Sequence, residues 1–302
     1  MRERENGIGE RAARPPYVST ELSAVPSTLR IPLAARALGA RIFPRLSVAD
    51  RYAAQALAGM GDDGRAWVRD RIMVYGILKR THAFRATAQA FLAQRPDALV
   101  VNLGCGLSQY FQWLDNGRAR MLDADLPEVL AIRRRLLPVL NARHRMAEVD
   151  LTAPDWWQAL GLAEGGGDAL CLFLEGVLMY LQPAQVSAVL AAFGEYAPDG
   201  SILVFDAMCW LSTGHAHWLA SMRRTGAEFT WGPRRQADVT AAHARLRLDD
   251  VASLLADYGP PYSVVEPMFR AWYEVPFYGV YRVGLEVGPS RVSLPAAGAG
   301  TG

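Results

Sequence analysis

A glycine turn, Gly104-Cys105-Gly106, is followed at intervals by three carboxylates, Asp125, Asp150 and Glu175, each closing an apolar run. Residues 99–106 read Leu-Val-Val-Asn-Leu-Gly-Cys-Gly, a buried strand running straight into the turn. Gly104 and Gly106 permit backbone angles and a closeness of approach that a Cβ would block. Strand, glycine turn and helix in succession let a doubly wound α/β sheet close its backbone on a nucleotide-like ligand. Asp123 and Asp125 come one helix–strand step later, where a carboxylate commonly takes ribose hydroxyls. Asp150 ends a third strand, a ligand position, although Asp150-Leu-Thr-Ala-Pro-Asp155 is also rich in helix-capping residues. Glu175 ends a fourth strand, again at the carboxyl edge where such sheets bind ligands. A dinucleotide fingerprint would need a glycine at position 109, which is Gln109. Cys105 reads as the small residue such a turn accepts and not as a nucleophile.

The elements that must hold these groups alternate in type. Strands are expected over 98–103, 120–123, 145–149, 169–174 and 201–206, and helices over 107–114, 127–137, 156–160 and 183–196, with Pro183 in a first turn. Strands separated by helices make βαβ units and a mostly parallel sheet. Before them, Thr28 to Ala40, Val48 to Ala58 and Ala66 to Leu92 form a helical cap over 18–97. After the fifth strand, 207–247 breaks the rhythm and reads as a helical insert or lid carrying Trp210, His215, His217, Trp218, Phe229 and Trp231. A helix at 248–258, a strand near 262–267 and a final strand near 278–287 then add an antiparallel C-terminal piece. The sheet-bearing domain spans 98–288, and residues 1–17 and 289–302 are too poor in groups to bury to be ordered.

Composition narrows the function classes. Hydrophobic residues make up 51% and charged residues 21% of the 302, as in ordinary globular proteins. A net charge of +2 offers no electrostatic case for nucleic acid or membrane partners. The run Arg133-Arg134-Arg135 reads as a solvated helix face. Three widely spaced cysteines, Cys105, Cys171 and Cys209, argue against a disulfide framework or a zinc site, so no metal is expected. No run reaches the ~18 apolar residues of a membrane span, and the N-terminus is unlike a signal peptide, so the expected compartment is the cytoplasm.

Several stretches carry a more specific likeness: Val100-Val-Asn-Leu-Gly-Cys-Gly-Leu107, Asp123-Ala-Asp-Leu-Pro-Glu-Val129, Leu174-Glu-Gly-Val-Leu-Met-Tyr-Leu181, Leu203-Val-Phe-Asp206 and Pro26-Ser-Thr-Leu-Arg-Ile-Pro-Leu33. Here the sequence resembles the leucine carboxyl methyltransferase superfamily of class I S-adenosylmethionine (SAM)-dependent methyltransferases, and within it the bacterial tetracenomycin-type polyketide O-methyltransferases. The resemblance implies a Rossmann-like methyltransferase sheet and SAM as cofactor. It implies that Arg80 holds the SAM carboxylate, and that Gly104, Cys105 and Gly106 form the donor turn. Asp125 with Leu126 would take the ribose, Asp150 and Leu151 frame the adenine, and Glu175 with Gly176 lie near the amino group. Tyr180 matches a pocket tyrosine close to the reacting end. The chain departs from its relatives at Ser108-Gln109-Tyr110, where the bacterial branch usually reads Asp-Thr-Arg. It departs again at His82 and Arg85, where the family has an arginine and an aspartate.

Methyl transfer from an activated donor can draw much of its rate from alignment and desolvation. A base is needed only where the acceptor arrives protonated with a high pKa, and His215 and His217 are the candidates. The expected activity is O-methylation of a carboxyl or hydroxyl group of a small-molecule acceptor, a polyketide or other secondary metabolite, by a monomer or homodimer. Methylation of a protein carboxylate, or of nitrogen or carbon, stays open. So does a SAM-binding module without catalysis, given the altered Ser108–Tyr110.

Overall fold

Leu99, Val101 and Leu103 pack on one side of β1 (Leu99–Leu103) and Val100 on the other, all of them buried. A strand covered on both faces belongs inside a sheet with helices on each side. The computed structural model, which describes residues 26–162 and 167–286, has that arrangement. The expectations for residues 1–17 and 289–302 lie outside the described residues.

Among the described residues seven strands form one sheet in the order β3-β2-β1-β4-β5-β7-β6. β2 (Arg120–Asp125), β3 (His144–Glu148), β4 (Leu170–Leu174) and β5 (Ile202–Met208) run parallel to β1, while β7 (Tyr278–Leu285) is antiparallel to both β5 and β6. The order reverses between β1 and β4, so the clefts above the carboxyl ends of the central strands form a ligand site. On one face lies α3 (Arg71–Gln94), whose Val74, Leu78, Phe84 and Phe91 pack with Val100, Phe173 and Val204. On the other lies α7 (Pro183–Tyr196), whose Val186, Leu190 and Phe193 pack with Val101, Leu172 and Phe205. α7 begins and ends where its sequence indicates: Pro183 occupies the first turn and Gln182 and Gln185 form a capping box. α1 (Arg30–Ile42) and α2 (Ala53–Gly59) form a third layer with Leu107, Ile132 and Leu137, which lays the N-terminal helices against the glycine turn.

Two expectations at the C-terminal end are reversed. Residues 248–258 are not a helix; β6 (Leu246–Ser253) pairs with β7 through seven residue partners, with a bulge between Leu248 and Asp250. An edge strand has one partner and one covered face, and its apolar residues are too sparse to show a clean period of two. Residues 262–267 are not a strand but the start of α10 (Tyr262–Tyr273). Val264 and Val265 are β-branched, but Glu266 turns inward and accepts hydrogen bonds from Ser253 Oγ (2.6 Å) and the Phe277 N–H (3.2 Å). That contact fixes a helix which intrinsic propensity alone would not.

The segment after β5 holds 3-10 turns at Trp210–Ser212 and Ala216–Trp218, then α8 (Ala220–Arg223) and α9 (Ala237–Thr240). The helix expected over 107–114 is confined to α4 (Phe111–Leu114). The arginine run on α5 (Pro127–Leu136) also needs correction. Arg134 and Arg135 are exposed, but Arg133 is wholly buried beneath the glycine turn, paired with Asp123. A helix face that meets the back of a turn lined by main-chain carbonyls has acceptors for a guanidinium and no room for water.

Candidate active site

The turn that leaves β1 takes the left-handed backbone at Gly104 (φ +62) and Gly106 (φ +50). A Cβ on Gly104 would lie 2.5 Å from Val177 Cγ2, and one on Gly106 would lie 2.7 Å from Leu29 Cδ2. The turn therefore requires glycine both for conformation and for space. Gly176, just beyond β4, has φ +69, and a Cβ there would stand 3.0 Å from Arg80 Nη1 and Nη2. These three glycines open two adjoining cavities that share Thr28, Leu29, Gly104, Gly176 and Tyr180.

The second cavity, about 240 Å³, is walled by Leu126, Val129, Val149 and Leu151, with Asp125 and Asp150 at its polar side. Asp125 ends β2 and is half-buried; its Oδ2 accepts from Gly106 N (2.7 Å) and its Oδ1 from Leu126 N (2.8 Å). Burial pushes its carboxyl up to about 6, against the downward pull of those two N–H groups and of Arg133. Asp150 is exposed and turns Oδ1 back onto the N–H and hydroxyl of Thr152 (2.8 and 2.7 Å), a capping turn within a cavity wall.

The first cavity, about 190 Å³, begins at a buried ion cluster. Arg80 reaches from the middle of α3. Its Nε donates to Glu175 Oε1 (2.9 Å), and its Nη1 donates to Asp206 Oδ2 and Tyr278 Oη, both at 3.0 Å. Tyr278 Oη donates to Asp206 Oδ2 (2.7 Å), the Gly176 N–H donates to Asp206 Oδ1 (2.6 Å), and Tyr110 Oη donates to Glu175 Oε2 (2.8 Å). Burial opposes the charge on Arg80, but Asp206, Tyr278 and Glu175 outweigh it and raise its pKa further. The same burial raises the Asp206 carboxyl despite Arg80 beside it. Two carboxylates thus share one guanidinium in a nearly dry site. Arg80 Nη2 makes no hydrogen bond among the described residues. Such a cluster could take a ligand head that brings an ammonium for the surplus carboxylate and a carboxylate for the remaining corner of the guanidinium.

Beyond Tyr180 the first cavity becomes apolar, lined by Met73, Met179, Met208, Met222, Phe229 and Phe277 among others. Tyr180 stands at the junction; its Oη reaches Met222 Sδ at 3.9 Å, and burial pushes its phenol up to about 12. No histidine or lysine is among the described residues that line either cavity.

The residues expected from the sequence thus separate. Arg80, Gly104, Cys105, Gly106, Glu175, Gly176 and Tyr180 line the first cavity, and Asp125, Leu126, Asp150 and Leu151 the second. Cys105 is buried, which raises its thiol pKa well beyond the reach of neutral pH. His215 and His217 line neither cavity: the His215 ring packs 4.2 Å from Trp218, and the exposed His217 faces Glu228 at 3.6 Å. Of the insert aromatics only Phe229 reaches the cavity; Trp210 stacks on Phe269, Trp231 lies near Phe205, and Trp218 is exposed. Asp206, Tyr278 and the role of Tyr110 were not foreseen. Asp206 obeys the same rule as Glu175, a carboxylate late in an apolar strand. Tyr278 joins the cluster from a distant strand, and no local pattern marks it.

The leucine carboxyl methyltransferase family model matches residues 26–194, from the N-terminal helices through α7. Tetracenomycin polyketide synthesis O-methyltransferase TcmP of Streptomyces glaucescens is 31% identical over 239 residues, covering 78% of this chain and 84% of that protein. Among solved structures, a Thermobifida fusca protein assigned as a methyltransferase superposes with a TM-score of 0.53 at 17% identity, over 81% of this chain and 98% of that one. A DUF574 family protein from Streptomyces avermitilis gives 0.52 at 13% identity, over 81% and 96%. At such identities these structures speak to the fold alone. The glycine cradle, the paired cavities and the ion cluster suit a nucleoside joined to an amino-acid head, which is the shape of SAM. The chain belongs to the leucine carboxyl methyltransferase family and is a SAM-dependent methyltransferase.

Proposed function

We propose that the acceptor is a small, largely apolar molecule methylated on oxygen, a carboxyl in preference to a hydroxyl, as in a polyketide or related secondary metabolite. The observation that carries this reading is the acceptor half of the first cavity, built of methionine and aromatic side chains without histidine or lysine. The name of the TcmP relative supports it. Methionine walls adapt to irregular apolar shapes, and a cavity without a base suits an oxygen that is already ionised at neutral pH.

When bound, SAM supplies a methyl group on a cationic sulfur, and the remaining requirements fall on the chain. Arg80 offers its free Nη2 to a carboxylate, and Glu175 and Asp206 take the charge of an ammonium. Asp125 accepts from ribose hydroxyls, and Leu126, Val129 and Leu151 wall the adenine, with Asp150 at its edge. Tyr180, its phenol protonated at neutral pH, donates a hydrogen bond to the acceptor oxygen and does not serve as a base. Closure of apolar side chains around the reacting atoms excludes water, and positioning does the rest.

The test is labelled-methyl transfer from SAM to matched aromatic acceptors, one bearing a carboxylate and one a phenol, with a peptide carboxylate as a third arm. The carboxylate is expected to turn over at neutral pH and the phenol only as pH approaches its own pKa. Turnover confined to the peptide, or a phenol methylated as well at pH 6 as at pH 9, would refute the proposal.

A further inference from the structure

Behind the glycine turn lies a second buried network that the reaction does not touch. Arg133 on α5 is fully buried, and its Nη1 donates to the carbonyls of Gly106 (3.0 Å) and Ser108 (2.7 Å). Its Nη2 donates to Gln109 Oε1 (3.1 Å) and to the carboxylate of Asp123. Asp123 is itself fixed by His144 Nε2 (2.6 Å) and Asn102 Nδ2 (3.0 Å), and Gln109 is pinned through Nε2 to Pro138 O (2.8 Å). Ser108 Oγ donates to Cys105 O (2.7 Å). The carbonyls of Gly106 and Ser108 are thus drawn to the back of the turn. The Gly106 N–H is left to the front, where it meets Asp125.

Arg133 Nε is buried without a partner among the described residues. Burying a charged group with an unused donor is unfavourable, and a side chain kept there needs a reason beyond packing. The altered Ser108 and Gln109 are also part of this frame, since both hold it from the turn side.

We propose that Arg133 is a positioning residue for the methyl donor. It holds the turn from behind and thereby aims the Gly106 N–H, and through it Asp125, at the nucleoside part of SAM. The proposal rests on the reading of Asp125 as the ribose ligand. A supporting shell whose geometry is fixed in this way decides how well a site is preorganised.

The experiment is calorimetric titration of SAM and S-adenosylhomocysteine into purified wild-type protein and the variants Arg133→Met, Arg133→Lys, Gln109→Leu and Asp125→Asn. Phe193→Leu, a core substitution on α7 that lines neither cavity, serves as a control for destabilisation alone. Arg133→Met is expected to weaken both ligands about tenfold or more and to similar extents, because the turn serves the nucleoside and not the sulfur. Arg133→Lys, which keeps the charge opposite Asp123 but not the forked donation, falls between. Phe193→Leu lowers Tm and leaves both Kd values within about twofold. If Arg133→Met does not fold, Gln109→Leu decides: it is expected to weaken SAM about threefold or more, and an unchanged Kd overturns the proposal. Arg133 variants that lose Tm like the control while keeping wild-type affinity also overturn it. If Asp125→Asn binds like wild type, the ribose reading falls and takes the proposal with it; if only Asp125→Asn is weakened, the proposal alone falls.

Discussion

Replacing Asp206 by Asn separates a ligand-binding role from a structural one. Asp206 accepts three hydrogen bonds, from Gly176 N–H, Tyr278 Oη and Arg80 Nη1, and shares Arg80 with Glu175. Before ligand binds, one guanidinium faces two buried carboxylates, and the raised pKa of Asp206 marks its ionised form as unfavourable there. For a carboxylate with a raised folded pKa, the contribution to stability is present at low pH and is lost as pH rises through that value. Relief of that crowding offsets only part of what the Asn variant gives up at Arg80 and Tyr278, so at neutral pH the ligand-free Tm is expected to fall, by less than about 5 °C. Binding is affected more. Asn can still accept from Gly176, but its amide group stands where Oδ2 accepted from both Tyr278 and Arg80, and it meets Arg80 as donor against donor, so the charge-assisted hydrogen bond aiming Arg80 is lost. That contact is worth about 2 kcal/mol, which corresponds to about a 30-fold rise in the Kd of SAM. Titration calorimetry gives the Kd and a thermal-shift series gives Tm with and without SAM. A SAM Kd within about threefold of wild type would refute the reasoning. So would a ligand-free Tm lowered by more than about 5 °C, which would mark Asp206 as a structural group.

Asp125, with its carboxyl pushed up to about 6, makes donor binding depend on pH. Ribose hydroxyls donate more strongly to an ionised acceptor, so SAM affinity is expected to hold above pH 7 and to weaken as pH falls through 6, with that dependence abolished in Asp125→Asn. Gly176→Ala should weaken SAM by about tenfold or more, because φ +69 strains any residue with a Cβ and a Cβ there, 3.0 Å from Arg80 Nη1 and Nη2, would push the guanidinium aside; calorimetry checks it. His215→Ala and His217→Ala should keep kcat within about twofold on any accepted substrate, since neither ring lines a cavity; initial-rate assays decide. Tyr180→Phe should lower kcat/KM by about tenfold through one lost hydrogen bond to the acceptor oxygen while leaving the SAM Kd unchanged.

What could be read from the sequence was what local pattern controls. The run from Leu99 to Gly106 and the capped helix from Pro183 to Tyr196 announce themselves through burial period, glycine and proline, and both stand where expected. The carboxylates at strand ends were legible because the sheet topology gives that position a meaning whatever the surrounding residues. β6 and α10 were misread because an edge strand and a helix fixed by Glu266 depend on partners distant in sequence. Arg133 was misread for a related reason. In sequence it is the first of three arginines, and only the packing of α5 against the turn separates it from the exposed Arg134. Tyr110, which departs from the family arginine, keeps a hydrogen bond to Glu175 that no tally of charges would reveal.

A structure of the protein with S-adenosylhomocysteine bound tests the site most directly. The nucleoside is expected in the cavity of Asp125, Leu126 and Leu151, its ribose hydroxyls on Asp125, and the amino-acid head on Arg80 Nη2 and Glu175. The sulfur should point past Tyr180 toward Met222 and Phe229. A ligand whose amino-acid head leaves Arg80 untouched, or whose ribose makes no contact with Asp125, would contradict this assignment.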